Sequence, residues 1–147
     1  MECIFCDFAL KKRKKHQNGL PFLILHETKH SVSFLSTDMP ATEEGHTLVI
    51  PKKHYEKLEN VPAVILHDLI GHVQLISKAL LIKNSASNIL LNNGRAAGQR
   101  VFHLHFHVIP RNENDKINIE VWKEKKITKD DFKLQSRDLQ KKIQKMI

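Results

Sequence analysis

The sequence predicts an α+β domain of about five antiparallel strands, one long central helix and a C-terminal helix, in the order β-β-β-α-β-β-α. Three observations carry that prediction. Short runs rich in β-branched and aromatic residues are separated by turn-forming residues, the pattern of strands. One long segment instead repeats its apolar residues every three or four positions, the period of a helix. The stretch joining the first two strands is short enough for a hairpin, which makes the sheet antiparallel.

Residues 7–20 are polar and basic and end near Asn18-Gly19, a turn signal. Phe22-Leu23-Ile24-Leu25 and Ser31-Val32-Ser33-Phe34-Leu35 read as two strands, with Glu27-Thr28-Lys29 turning between them. Met39 to Gly45 holds Pro40 and two acids and reads as a loop. Thr47-Leu48-Val49-Ile50 is a third strand, stopped by Pro51. Val61 to Lys83 is the long helix, with Ile65, Leu69, Val73, Ile76 and Leu80 forming one apolar stripe. Ser87 to Leu91 is a strand ended by Asn92-Asn93-Gly94. Val101 to Ile109 is the last strand, closed by Pro110, and Asp130 to Met146 forms the terminal helix.

With 147 residues, 41% of them hydrophobic, the chain can bury a core of its own. The formal charge of +8 favours anionic partners, though it does not choose among nucleotides, nucleic acid and acidic membrane. Much of the excess lies in Lys11-Lys12-Arg13-Lys14-Lys15 and the C-terminal third. Such a run is first of all a solvated face, with a nucleic-acid contact as the lesser reading. The N-terminus lacks the pattern of a signal peptide, and no apolar run approaches a membrane span of roughly 18 residues. The expectation is a cytoplasmic protein with no membrane partner. In a reducing compartment, Cys3-x-x-Cys6 is more plausibly a metal or redox pair than a disulfide.

The chemistry concentrates in His103-Leu104-His105-Phe106-His107. Side chains alternate along a strand, so the three imidazoles share one face while Leu104, Phe106 and Val108 point to the other. A merely polar face or a simple metal site would carry the same pattern. Imidazole titrates near 6.5, so a neutral nucleophile is available at neutral pH. One ring nitrogen can attack phosphorus while the other holds its proton against a carbonyl. A neighbouring imidazole can serve phosphate oxygens or the leaving group. Just upstream, Asn92-Asn93-Gly94-Arg95-Ala96-Ala97-Gly98-Gln99-Arg100 has two glycines that let backbone N–H groups approach an anion.

These segments, together with Gly45-His46-Thr47-Leu48-Val49-Ile50-Pro51-Lys52-Lys53-His54 and the closing Ile109-Pro110-Arg111, resemble the histidine triad (HIT) family of nucleotide hydrolases and transferases. The resemblance runs from Cys3 to about Trp122. It implies a HIT-like fold, a single domain over residues 1–147, and a homodimer joined through a continuous sheet. It also implies attack by His105 on the α-phosphate of a nucleotide, with a nucleotidyl-histidine intermediate and release of a nucleoside monophosphate. By the same match His107 serves the phosphate or leaving group, and the His103 carbonyl orients His105. Asn92 and the Gly98-Gln99 backbone hold phosphate oxygens, and His46 supports the site. Cys3-x-x-Cys6 matches a zinc-bearing branch, whose remaining ligands fall on His54 and His103. That set is a closed tetrahedral structural site with one zinc per chain. The substrate is expected to be a purine nucleotide, with the base near Ile4, Phe5 and Leu23 to Leu25. Phosphoramidates and dinucleoside polyphosphates are both compatible.

Three departures stand out. Phe34 to Pro40 replaces a shorter acidic segment, and Asp38 is the candidate ribose contact. Arg100 stands where small hydroxyl residues are common, bringing a guanidinium toward the phosphates. The basic stretch after Cys6 is longer than usual and reads as an exposed loop. Outside these motifs, His67 and His72 are five residues apart, one too many for a zinc-protease helix. His16, His26 and His30 read as surface or turn residues, and Trp122 as a packing position. Two other classes compete with an enzyme: a nucleotide-binding regulatory protein with little turnover, and a nucleic-acid binder using Lys11 to Lys15, whose binding would depend steeply on salt.

Overall fold

A computed structural model of the protein describes residues 3–40 and 42–147. The signal-peptide reading of positions 1 and 2, and position 41 of the predicted 39–45 loop, lie outside the described residues. The chain forms two compact units, Met1–Ile117 and Asn118–Ile147.

The first unit is built on a five-stranded antiparallel sheet. Its strands are β1 (Ile24–Glu27), β2 (Ser31–Leu35), β3 (Thr47–Pro51), β4 (Ala86–Leu91) and β5 (Phe106–Arg111), in the spatial order β1-β2-β3-β5-β4. A short helix absent from the predicted order, α1 (Ile4–Ala9), precedes the sheet. Six residues give too little periodicity to be seen in a sequence. The long helix α2 (Ala63–Leu80) crosses from β3 to β4. β1 begins two residues later than expected, at Ile24, because Phe22 turns inward to stack on Phe8 with ring centroids 4.0 Å apart.

Alternation along the strands sorts side chains into two cores, one on each sheet face. On one face the α2 stripe of Ile65, Leu69, Val73 and Ile76 packs on Val49 of β3 and on Leu104, Phe106 and Val108. On the other, Phe5, Phe8 and Ala9 of α1 pack on Val32, Phe34, Leu48 and Ile50. Gly45, at φ +102°, lets the loop before β3 press on α2, since a Cβ there would sit 2.8 Å from a Leu80 methyl.

The last strand is shorter than predicted at its start. Residues 101–103 bend, residues 101–105 pair with no strand, and β5 begins at Phe106. Pro51 explains this. It has no N–H for a ladder, and its carbonyl accepts from the His103 ring Nε2–H at 2.8 Å. The Leu104 N–H instead donates to the Tyr55 carbonyl. At the other end Pro110 does not close the strand, which continues to Arg111. β3 pairs with β5 only at Phe106 to Val108, so Pro110 faces no neighbour on that side.

The second unit contains α3 (Lys129–Gln144). Thr128 caps it, its hydroxyl accepting from the Asp131 N–H at 3.1 Å. Asp130 and Asp131 lie in the first turn and Lys141 and Lys142 in the last, matching the helix dipole.

Candidate active site and metal centre

Four sulfur and nitrogen atoms converge behind α1. Cys3 Sγ lies 3.4 Å from His103 Nδ1, Cys6 Sγ 3.4 Å from His54 Nδ1, and Cys6 Sγ 3.5 Å from His103 Nδ1. All four donor atoms fall within 4.8 Å of one another. A tetrahedral zinc with Zn–S of about 2.3 Å and Zn–N of about 2.0–2.1 Å separates its donors by about 3.3–3.8 Å, a range that the three contacts of 3.4, 3.4 and 3.5 Å match. The tautomers fit as well. His103 spends its Nε2–H on the Pro51 carbonyl, which leaves Nδ1 as a lone pair facing the thiols. His54 turns Nε2 toward Glu56, 4.0 Å away, and Nδ1 toward Cys6. Burial pushes the Cys6 thiol up to about 11, with Cys3 beside it adding to the rise. A cation held there would supply the positive charge that a thiolate needs.

Phe5 connects this cluster to the neighbouring pocket. Its ring meets the edge of His103 at 5.9 Å and of His105 at 5.2 Å. The pocket, about 550 Å³, lies on the α1 face of the sheet and includes Asp38, Asn92, Gly98, Arg100, His105 and His107 in its lining. Its size is that of a small-molecule site.

Within it the histidine tautomers are fixed by carbonyl acceptors. His105 donates Nδ1–H to the His103 carbonyl at 2.7 Å, so its lone pair is at Nε2. His46 donates Nδ1–H to the Asp38 carbonyl at 2.5 Å, so its Nε2 accepts. His107 therefore donates Nδ1–H to His46 Nε2, at 3.0 Å, and keeps its own lone pair at Nε2. That Nε2 is buried and without a partner among the described residues. Burial pushes His107 down to about 4, with His105 and His46 adding to the effect and Asp38 opposing it. Burial also holds His105 and His46 below the ordinary imidazole value, while the carbonyl each one bonds pulls the other way. All three rings are neutral at neutral pH.

The remaining predicted residues fall in different places. His46 stands behind His107 and does not line the pocket. Gln99 is buried, its side chain accepting from Gly94 N–H and donating to the carbonyls of Glu56 and Val101. The N–H groups of Gly98 and Gln99 are spent inside the turn, on Arg95 and Gly94. Gly98 sits at φ +88°, and that closes the turn. The backbone donors free to meet an anion are those of Arg100 and Val101, which have no partner among the described residues. Leu23 and Leu25 lie not in this pocket but in an adjoining apolar groove. The half-buried His16 and the exposed Gln17 and Asn18, in the stretch read as an exposed loop, also line the pocket. His72, weighed in the sequence only as half of a zinc-protease pair, is also buried, beside Leu69 and Ile76 on the α2 stripe.

The HIT domain pattern matches residues 19–114. The chain belongs to the HIT family. Among its relatives is an uncharacterised HIT-like protein of Methanocaldococcus jannaschii, 41% identical over 77% of this chain and 81% of that one. The adenosine 5'-monophosphoramidase hnt1 of Schizosaccharomyces pombe is 35% identical over 97% of this chain and 99% of its own. The adenylylsulfatase HINT3 of Arabidopsis thaliana is 37% identical over 78% of this HIT chain, which spans 54% of that protein. Among solved structures, the histidine triad nucleotide-binding protein of Candida albicans superposes with a TM-score of 0.81 at 33% identity, covering 99% and 100% of the two chains. A zinc-bound histidine triad protein of Mycobacterium smegmatis gives 0.68 at 32% identity, covering 80% and 81%.

Proposed function

We propose that this HIT protein is a nucleotide hydrolase that attacks the α-phosphorus of a nucleoside phosphoramidate through His105. One observation carries the reading: His105 is locked as the Nδ1–H tautomer by the His103 carbonyl, with its Nε2 lone pair left for the pocket. The relatives named adenosine 5'-monophosphoramidase and adenylylsulfatase support the substrate class.

In the first step the His105 Nε2 lone pair forms a bond to phosphorus, and the bond from phosphorus to the leaving group breaks. The carbonyl at Nδ1 stabilises the positive charge that develops on the ring. His107 Nε2, unprotonated in the free protein, takes a proton from solvent as the anionic substrate binds, and the departing group takes that proton as its bond to phosphorus breaks. The arriving phosphate anion favours that protonated form, because it sets a negative charge against a buried imidazole. In the second step water attacks phosphorus, returns a proton to His107 and frees His105 and the nucleoside monophosphate. Asn92, the Arg100 guanidinium and the N–H groups of Arg100 and Val101 hold the phosphate oxygens. The Asp38 carboxylate takes a ribose hydroxyl while its carbonyl holds His46. Phosphoramidates come first as substrates, and dinucleoside polyphosphates would use the same attack. Cys3, Cys6, His54 and His103 hold one structural zinc per chain, which ties α1 to the segment before β5. Zinc takes no part in the steps above.

Turnover of adenosine 5'-phosphoramidate by the wild type and by His105→Ala tests the assignment. Activity should fall about a thousandfold or more, the upper part of the range for a single catalytic side chain. A folded His105→Ala protein with full activity sinks it.

A further inference from the structure

We propose that the hairpin at residues 15–21 is the base-reading wall of the pocket, and that the Gln17 carboxamide selects adenine over guanine. The proposal rests on the reading of the pocket as a nucleotide site and adds a specificity residue to it.

The stretch has the composition of an exposed basic loop, yet it is folded. Lys15 and Pro21 pair across an antiparallel bridge. His16 N–H donates to the Leu20 carbonyl at 2.8 Å, and Gly19 N–H returns to the His16 carbonyl at 3.0 Å. Phe22 N–H donates to Lys14 at 2.9 Å and continues the pairing. The hairpin is anchored through His16, whose ring meets the edge of the fully buried Phe8 at 4.9 Å and lies 6.0 Å from Phe34. Burial lowers His16 from the ordinary imidazole value and keeps it an uncharged wall.

This anchoring fixes where the tip meets a ligand. His16, Gln17 and Asn18 line the same pocket as His105 and His107. Three ring contacts separate His16 from His105, through Phe8 and Phe5, with centroids 4.9, 6.2 and 5.2 Å apart. With the rings of Phe8 and Phe5 standing between it and His105, the tip is assigned to the nucleoside end of the nucleotide. Leu23 and Leu25, which the sequence offered for the base, lie in the adjoining groove.

The chemistry of the tip then distinguishes its two amides. Asn18 Oδ1 already accepts from the Leu20 N–H at 3.2 Å, so that amide is half spent. Neither side-chain atom of Gln17 has a partner among the described residues, so it offers one donor and one acceptor side by side. Adenine presents the complement, an N6 amino donor beside the N7 acceptor. On that same N7 edge guanine presents two acceptors, O6 and N7, and one would face the amide oxygen, so the selection applies to a base read along its N7 edge.

Calorimetric titration of the full-length protein with AMP and GMP reads this directly, and it needs no turnover. The wild type should bind AMP about tenfold more tightly, the low end of what a bidentate base contact supplies. Gln17→Ala should bring the ratio close to one. Gln17→Arg should invert it, since a guanidinium matches O6 and N7 of guanine. The kcat/KM ratio for adenosine over guanosine 5'-phosphoramidate should move in parallel. An unchanged AMP-to-GMP ratio in Gln17→Ala, or a wild type that binds both alike or neither, overturns the proposal. A ratio that collapses in Gln17→Ala while neither phosphoramidate is turned over leaves base reading standing and defeats the hydrolase instead.

Discussion

Three imidazoles in this molecule differ in role because each gives its Nδ1 a different neighbour. His103 turns Nδ1 to the thiols, His105 turns it to a carbonyl, and His107 turns it to another histidine. The sequence showed that the three rings would share a side, since Leu104 and Phe106 do pack on the opposite core. The family resemblance anticipated the His103 carbonyl at His105, whereas the tautomers of His103 and His46 depend on carbonyls distant in sequence or on loops, those of Pro51 and Asp38. His72 belongs to the same residue scale, and its contacts were hidden for the same reason. Its partners Ser31 and Ser33 lie on β2, and Asp68 reaches it through the Ser31 hydroxyl. Burial pushes His72 down to about 4, with His26 beside it adding to the drop and Asp68 opposing. In the unfolded chain a histidine binds its proton below about 6.5. Between those two values the unfolded state holds more protons, so stability rises with pH and is lost as pH falls from about 6.5 toward 4. The full loss from this residue is about 3 kcal/mol. Urea midpoints measured from pH 7 to 4.5 should therefore fall less steeply in His72→Gln than in the wild type. Parallel curves for the two proteins contradict that assignment.

At the scale of elements, the strong periodic segments were legible and the boundaries set by tertiary contacts were not. β2 and the α2 stripe stand where their patterns put them, because burial of one face is what those patterns record. The start of β5 was misplaced because a side chain, His103, takes a backbone acceptor that a ladder would have used. α1 was missed because its stability comes from packing and from the Cys-His cluster, not from helical period. That gives a prediction for the metal. Protein purified without added zinc should carry close to one zinc per chain. Stripping it should speed amide exchange in α1 and around His54, and lower the melting temperature. Metal analysis that finds no zinc, or exchange in α1 indifferent to chelation, counts against a structural metal here.

At the scale of the whole molecule, the antiparallel α+β architecture and the anionic partner implied by a +8 charge were both in the composition and the hairpins. The placement of the basic segment was not. Lys11 pairs with Glu27 at 2.9 Å, while the hairpin that follows it enters the pocket. Asn18-Gly19 marked the turn, but a run of lysines gives no hint that the chain pairs back across it, because the bonds that close the hairpin are backbone bonds. β4 is an edge strand with an open ladder and an exposed Ile89, and this edge is the natural seam for the homodimer we propose. Sedimentation equilibrium should give twice the 17.0 kDa of one chain, and a monomer at micromolar concentration contradicts it.

In the proposed mechanism His105 carries the nucleotidyl group between the two steps, and a rapid-quench experiment can catch it there. The protein is mixed in single turnover with adenosine 5'-phosphoramidate, quenched within milliseconds and read by intact-protein and peptide mass spectrometry. A transient adduct of one adenylyl group should map to His105, decay as AMP appears, and be missing in His105→Ala. Normal AMP release with no adduct at any time, or an adduct that persists in His105→Ala, would contradict it.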